Sequence, residues 1–169
     1  MKIIKRYFLR LFIIISSVLF LVACDQTTKQ IANTELKNKA NTEIAGIVNL
    51  QYVENDGGML SLGNNLPQEI KFIIFILLVG VFLLILFVYL IKQTQLVFLK
   101  QFALILILSG GLGNLVDRIL NSGKVIDFIR LGLPGISTGI FNIADFYITL
   151  GFVVLLLSTL KRQKAHIQE

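Results

Sequence analysis

FIIFILLVGVFLLILFVYLI, residues 72–91, holds twenty residues without a charge and is closed by Lys92. At a rise of about 1.5 Å per residue, a helix of that length crosses a hydrocarbon core of about 30 Å. Two further runs follow. One goes from Gln101, just after Lys100, to Val116 and ends at Asp117-Arg118; the other goes from Phe141 to Leu160, interrupted only by Asp145, and ends at Lys161-Arg162. Upstream, Leu11–Ala23 is shorter and spans only if Tyr7–Leu9 belong to it and Arg10 snorkels toward the headgroups. The expected fold is an all-α membrane protein with four transmembrane helices. They fall at about residues 7–23, 70–91, 98–117 and 142–160, in a single membrane-embedded domain of residues 1–169.

Composition agrees. The chain is 55% hydrophobic and 15% charged, where soluble domains carry roughly a quarter charged residues. That much apolar surface needs lipid as its solvent. The formal charge of +6 does not point to nucleic acid, because the basic residues cluster at the ends of apolar runs. Lys2, Lys5, Arg6 and Arg10 precede the first run, Lys92 and Lys100 flank the middle connection, and Lys161, Arg162 and Lys164 follow the last. Cytoplasmic loops hold such residues, so both termini and the middle loop are expected there. Residues 24–69 and roughly 119–140 then face outward. The first of these loops contains Ile47–Val53, a β-prone and partly alternating stretch, which predicts a small β element at the membrane surface.

Cys24 is the only cysteine and His166 the only histidine, the latter in a basic tail. No intrachain disulfide or cysteine-based zinc site is available, and a histidine-dependent nucleophile is a poor fit. Acids carry more information. From residue 70 to residue 168 there are only three, Asp117, Asp127 and Asp145, and a carboxylate within a span is costly enough to mark a functional candidate. Asp145 stands sixteen residues before Lys161 and Asp117 seventeen after Lys100, which puts each about 24–25 Å up its helix, just beneath the outer surface. Asn121-Ser122-Gly123-Lys124 has turn chemistry, with asparagine and glycine suited to unusual backbone angles. It leads into Val125-Ile126-Asp127-Phe128, an extended segment able to fold back over the helix ends. Asn114, Arg118 and Asn142 lie close in sequence to these acids.

Two carboxyls in a partly dry cleft share one proton, so one can activate water while the other protonates a scissile carbonyl. Such chemistry requires no metal and no cofactor. The alternatives from placement alone are structural ion pairs with Arg118, Lys124 and Arg130, or an ion pathway, although a pathway usually places acids deeper in the bilayer.

Five blocks in order then show a likeness: Asp25-Gln26-x-x-Lys29, Asn55-Asp56-Gly57-Gly58-Met59-Leu60-Ser61, Gly110-Gly111-Leu112-Gly113-Asn114-Leu115-Val116-Asp117-Arg118, Val125-Ile126-Asp127-Phe128 and Phe141-Asn142-Ile143-Ala144-Asp145. Along nearly its whole length the chain resembles the bacterial lipoprotein signal peptidases (signal peptidase II). The resemblance implies an aspartic endopeptidase of the bacterial cytoplasmic (inner) membrane, with its active site near the outer face. Its substrates would be diacylglyceryl-modified prolipoproteins, cut on the amino side of the lipidated cysteine. It implies Asp127 and Asp145 as the catalytic pair, Asn55, Asn114, Arg118 and Asn142 as polar supports or substrate contacts, and Asp25, Lys29 and Asp117 as structural positions. Expected partners are those substrates and membrane lipid, with no nucleic acid, and a monomer is expected. Gly58, Met59 and Leu60 depart from the family's small residues and phenylalanine, and Ser109 stands where glycine is frequent; both bear on loop packing. The segment Leu131–Ile140, with Pro134 and three glycines, reads as a short flexible lid. Gly110, Gly111 and Gly113 read as close helix packing below the site.

One stretch supports a rival. Leu21-Val22-Ala23-Cys24 after a basic leader matches a lipobox. The chain would then be a lipid-anchored multi-span protein processed at Cys24, without peptidase activity. Asp25 and Lys29 at the family's positions favour a retained first helix.

Overall fold

The structure, a computed structural model, describes residues 2–39, 42–44, 46–58, 62–133 and 136–167. Met59, Leu60, Ser61 and Pro134 therefore lie outside the described residues, as does the side chain of His166. In chain order the elements are α1 (Lys2–Glu35), β1 (Thr42–Ile44), β2 (Val48–Asn55), α2 (Gln68–Lys92), α3 (Phe98–Leu120), β3 (Val125–Leu133), β4 (Ile136–Ser137) and α4 (Ile143–Ile167). Among the described residues, four helices are long and apolar enough to cross a membrane, within Tyr7–Glu35, Gln68–Lys92, Phe98–Leu120 and Ile143–Leu160.

α3 is the central helix. Leu104, Ile105, Ile107 and Leu108 on it bury against Ile14 and Val18 of α1 and Leu83, Leu86 and Leu90 of α2. The opposite faces of α1, α2 and α4 expose large apolar side chains such as Phe12, Leu84 and Leu156. That is the pattern of a bundle whose solvent is lipid. Against α4, α3 comes close enough to exclude side chains. A Cβ at Gly110 would stand 2.3 Å from the Ala144 carbonyl oxygen, and one at Gly113 would stand 2.5 Å from Asp25 Oδ2. The first contact is with backbone and cannot be relieved by a rotamer change. Gly110→Ala is therefore expected to push α4 away and cost about 2–3 kcal/mol, within the range for overpacking, read as a lowered melting temperature in detergent. An unchanged melting temperature would contradict the close approach.

Three expectations change. The first helix does not stop near residue 23 but continues unbroken to Glu35, because Asp25 and Lys29 find buried partners on α3 and α4. Arg10, expected to snorkel, meets the end of α2. Its Nη2 donates to the Leu90 carbonyl (3.1 Å) and to that of Gln93, satisfying the open carbonyls at the end of α2. The unusual backbone angles after α3 fall on Ser122 (φ 54) and Gly123 (φ 90), whereas Asn121 has φ −113. The Gly123 N–H donates back to the Arg118 carbonyl (2.8 Å), closing the helix as the chain reverses.

The β element expected between the first two spans is present and extends into the connection between the last two. The antiparallel order is β1-β2-β3-β4, with Val53 opposite Asp127 and Asn55 opposite Val125, and a bulge between Leu50 and Val53. Phe128 and Ile129 also donate to the Phe141 carbonyl, at 3.1 and 2.9 Å. The proposed lid segment is likewise partly ordered. Gly132 pairs with Ser137, Leu133 with Ile136, and Arg130 donates to the Ser137 hydroxyl. The two flanks of the segment thus pair as antiparallel strands.

Candidate active site

A cavity of about 570 Å³ opens where the sheet meets the C-terminal end of α3 and the N-terminal end of α4. Asn55, Asn114, Arg118, Asp127 and Asp145 line it, with Phe141, Phe146, Leu131 and Thr149 among its other walls. Asp127 arrives on β3, which the Ile126 N–H anchors to Asp117 Oδ2 (3.1 Å). Its side chain is only 3% exposed. Asn55 Nδ2 donates to its Oδ2 (2.9 Å) and Asn142 Nδ2 to its Oδ1 (2.7 Å).

Asp145 sits in the first turn of α4. Asn142 Oδ1 accepts the Asp145 N–H (2.9 Å), and the Asn142 N–H donates to Asp145 Oδ2 (3.4 Å), a reciprocal capping box. Another free N–H of that turn, from Ala144, donates to Asp25 Oδ1 (2.9 Å). The fully buried Asn142 thus serves both acids: it caps the helix that carries Asp145 and holds Asp127 by its amide.

Behind the acids lies a buried ionic cluster. Lys29 Nζ stands 2.8 Å from Asp25 Oδ2, 2.9 Å from Asp117 Oδ2 and 3.0 Å from Asn114 Oδ1. An ammonium only donates, so Asn114 must turn its oxygen toward Lys29. Its Nδ2 then faces Asp145 Oδ1 and donates at 2.8 Å. Gln26 closes the cluster, donating to Asp117 Oδ1 (2.8 Å) and the Gly113 carbonyl (3.1 Å). Arg118 donates to the Gly57 carbonyl (2.7 Å) and lies 5.2 Å from the Phe75 ring centroid.

Burial pushes the Asp127 carboxyl up to about 6, and the nearby Asp145 adds to the rise, while the Asn55 and Asn142 amides and Lys29 hold it back. The ion-pair alternative for the acids meets different partners. Lys124 pairs with Glu54 (2.9 Å), Arg130 donates to Ser137, and Arg118 donates to backbone carbonyls. Asp117 does form a structural ion pair, but with Lys29. Asn55, Asn114, Arg118, Asp127 and Asp145 line this cavity, and Asp25, Lys29, Asp117 and Asn142 lie directly behind it. Reading the sequence assigned no site role to Gln26 and Asp56, although both stand in the matched blocks, and passed over Lys71; all three hold the site from outside it. Membership of those blocks beside Asp25 and Asn55 was the signal that Gln26 and Asp56 offered, whereas Lys71 offered none.

A family model described as Signal peptidase (SPase) II matches residues 17–161. The chain belongs to the signal peptidase II family. A lipoprotein signal peptidase of Streptococcus pyogenes serotype M1 is 37% identical over 155 residues, covering 91% of this chain and 95% of that protein. One from Streptococcus thermophilus (strain CNRZ 1066) is 36% identical over 150 residues, covering 87% and 92%. Two solved structures described as a bacterial membrane enzyme obtained by the in meso method share the fold. Their TM-scores are 0.76 and 0.71, with 32% and 33% identity. The first alignment covers 89% of this chain and 88% of that one, the second 88% and 92%. As a signal peptidase II the protein is a membrane-embedded peptidase, and its cavity is the place to look for the chemistry.

Proposed function

We propose that this peptidase cleaves signal peptides from diacylglyceryl-modified prolipoproteins on the amino side of the lipidated cysteine, with Asp127 and Asp145 as its catalytic pair. The observation that carries this reading is two carboxyls in one cavity, tied together by Asn142. With one proton between them, the ionised member takes a proton from water as it attacks the scissile carbonyl. The protonated member donates to the carbonyl oxygen; the first member then passes the proton taken from water to the departing amine nitrogen, while the second recovers its own from the gem-diol hydroxyl as the C–N bond breaks. Asn55, Asn114, Asn142 and Arg118 orient the acids and the peptide. The protein works as a monomer in the bacterial inner membrane, with its termini in the cytoplasm and its cavity at the outer boundary. There a signal helix and a diacylglyceryl group would fix the scissile bond at the right depth.

The Leu21–Cys24 stretch lies inside α1, and Ile14 and Val18 ahead of it are buried in the bundle core. Cutting there would strip the core of one wall, which favours a retained helix. The direct test is incubation of the purified chain with a diacylglyceryl-modified prolipoprotein. A product beginning at the modified cysteine is expected, and no product from several such substrates would sink the reading.

The acid pair also gives a pH dependence. Activity needs one proton on the pair and disappears as the second leaves. Asp127 at about 6 places the falling limb of kcat/KM for free enzyme at about pH 6. Substrate displaces water from the cavity and disfavours the doubly charged state, so the limb in kcat is expected higher. A kcat/KM that stays flat from about pH 5 to pH 8 would contradict the assignment.

A further inference from the structure

Asp127 owes one of its two amide bonds to Asn55, whose backbone ends β2 opposite Val125 and whose side chain is held by the turn that follows. Asn55 Oδ1 accepts the Gly57 N–H (3.0 Å) and its Nδ2 donates to the Gly58 carbonyl (3.2 Å) as well as to Asp127. The turn is tied to the helices at three points. Arg118 holds the Gly57 carbonyl, Gly58 lies against Phe75, and Asp56 Oδ2 accepts from Lys71 Nζ at 2.6 Å. Only the last tie is an ion pair. Lys71 stands in the first turns of α2 and is 8% exposed, although a lysine at a span end ordinarily reaches for water. The Asp56 side chain is 44% exposed, yet its bond to Lys71 holds its carboxyl below the usual carboxylate range.

We propose that Lys71 is a positioning residue for the reaction: by clamping Asp56 to α2 it keeps the Asn55 amide on the Asp127 carboxylate. The proposal rests on the peptidase reading above. Charge-assisted bonds of this length are among the stronger ones available to a surface turn. Without it, the turn beyond β2 is tied to the helices by a backbone carbonyl and an apolar contact, and the Asn55 side chain, though its backbone stays paired with β3, gains freedom to leave the acid.

The test is a double-mutant cycle of Lys71→Met and Asp56→Asn, with Lys71→Arg as rescue, assayed on a diacylglyceryl-modified prolipoprotein. Each single variant is expected to lower kcat about tenfold with KM within about twofold, the double variant to lose no more, and Lys71→Arg to recover most of the loss. A second readout separates positioning from general destabilisation. The Asn55 bond favours ionised Asp127, so loosening it should move the falling limb of kcat/KM upward in pH in both single variants. The charges that face Asp127, namely Asp145 on α4, Lys29 on α1 and Arg118 on α3, remain in every variant. Losses that add, a Lys71→Met turnover within about twofold of wild type, or an unmoved limb would overturn the proposal. If Lys71→Met fails to fold, Asp56→Asn carries the same test, and unchanged turnover there overturns it equally. An inert wild type would instead sink the peptidase reading beneath it, an outcome distinct from an active wild type with indifferent variants.

Discussion

Asp127→Asn and Asp145→Asn will each leave a folded chain that no longer cleaves prolipoprotein, with turnover down by about 10²–10⁴-fold. An amide can neither accept the proton of the attacking water nor donate a proton that it regains, so either replacement removes half of the acid–base cycle. The fold should survive both. At position 145 the helix is started by Asn142, whose Oδ1 accepts the backbone N–H of residue 145 whatever its side chain. The amide oxygen can still accept from Asn114. At position 127 the strand keeps its pairing with Val53 and its tie through Ile126 to Asp117. One amide contact is lost at each site, because a primary amide offers one acceptor atom where a carboxylate offers two. The measurement is turnover at saturating substrate alongside a melting curve in detergent. A variant that keeps more than about a tenth of wild-type turnover would remove that aspartate from the pair, since microscopic roles in a proton-sharing dyad cannot be filled by one member.

Much of the membrane architecture was legible because lipid allows little freedom. A charge-free run as long as Phe72–Ile91 has one stable use, and Lys92 marks its end. The acids were legible for the same reason: in a stretch where carboxylates are expensive, three of them stand out. The hidden parts depend on tertiary partners. Past Ala23 the sequence turns polar, as a helix leaving the bilayer does, and nothing local says that Asp25 and Lys29 are buried; only their i,i+4 spacing hints that the helix continues. The pairing of β2 with β3 joins two outer loops separated by two spans. Each strand could be read alone, but their register follows from helix positions that the strands do not encode. Lys71 looks like an ordinary boundary lysine until Asp56 is found 2.6 Å away. Asn142 was visible as a polar residue beside an acid. Its double duty was not, because that depends on how β3 returns to the start of α4.

Lys29→Met should be the most damaging single change to stability. Lys29 is 1% exposed, and its ammonium is shared by Asp25, Asp117 and Asn114. Methionine roughly matches the volume of the stem and so isolates the loss of charge from the loss of packing. Two buried carboxylates, one holding the first turn of α4 and the other holding β3, would then face each other without a cation. Breaking a buried pair by removing one partner typically costs about 3–5 kcal/mol. Stability and catalysis should fail together here, since the Asn114 amide would be free to turn and present its oxygen to Asp145. Arginine is not an adequate substitute. Its planar fork is larger than an ammonium and cannot place one nitrogen among three acceptors that converge at 2.8–3.0 Å. The informative rescue is Lys29→Met with Asp117→Asn, which removes one of the two stranded charges and is expected to recover part of the melting temperature but little activity. If Lys29→Met melts within about 1 kcal/mol of wild type, the carboxylates do not depend on the ammonium, and the cluster is not what holds α1 to the catalytic end of the bundle.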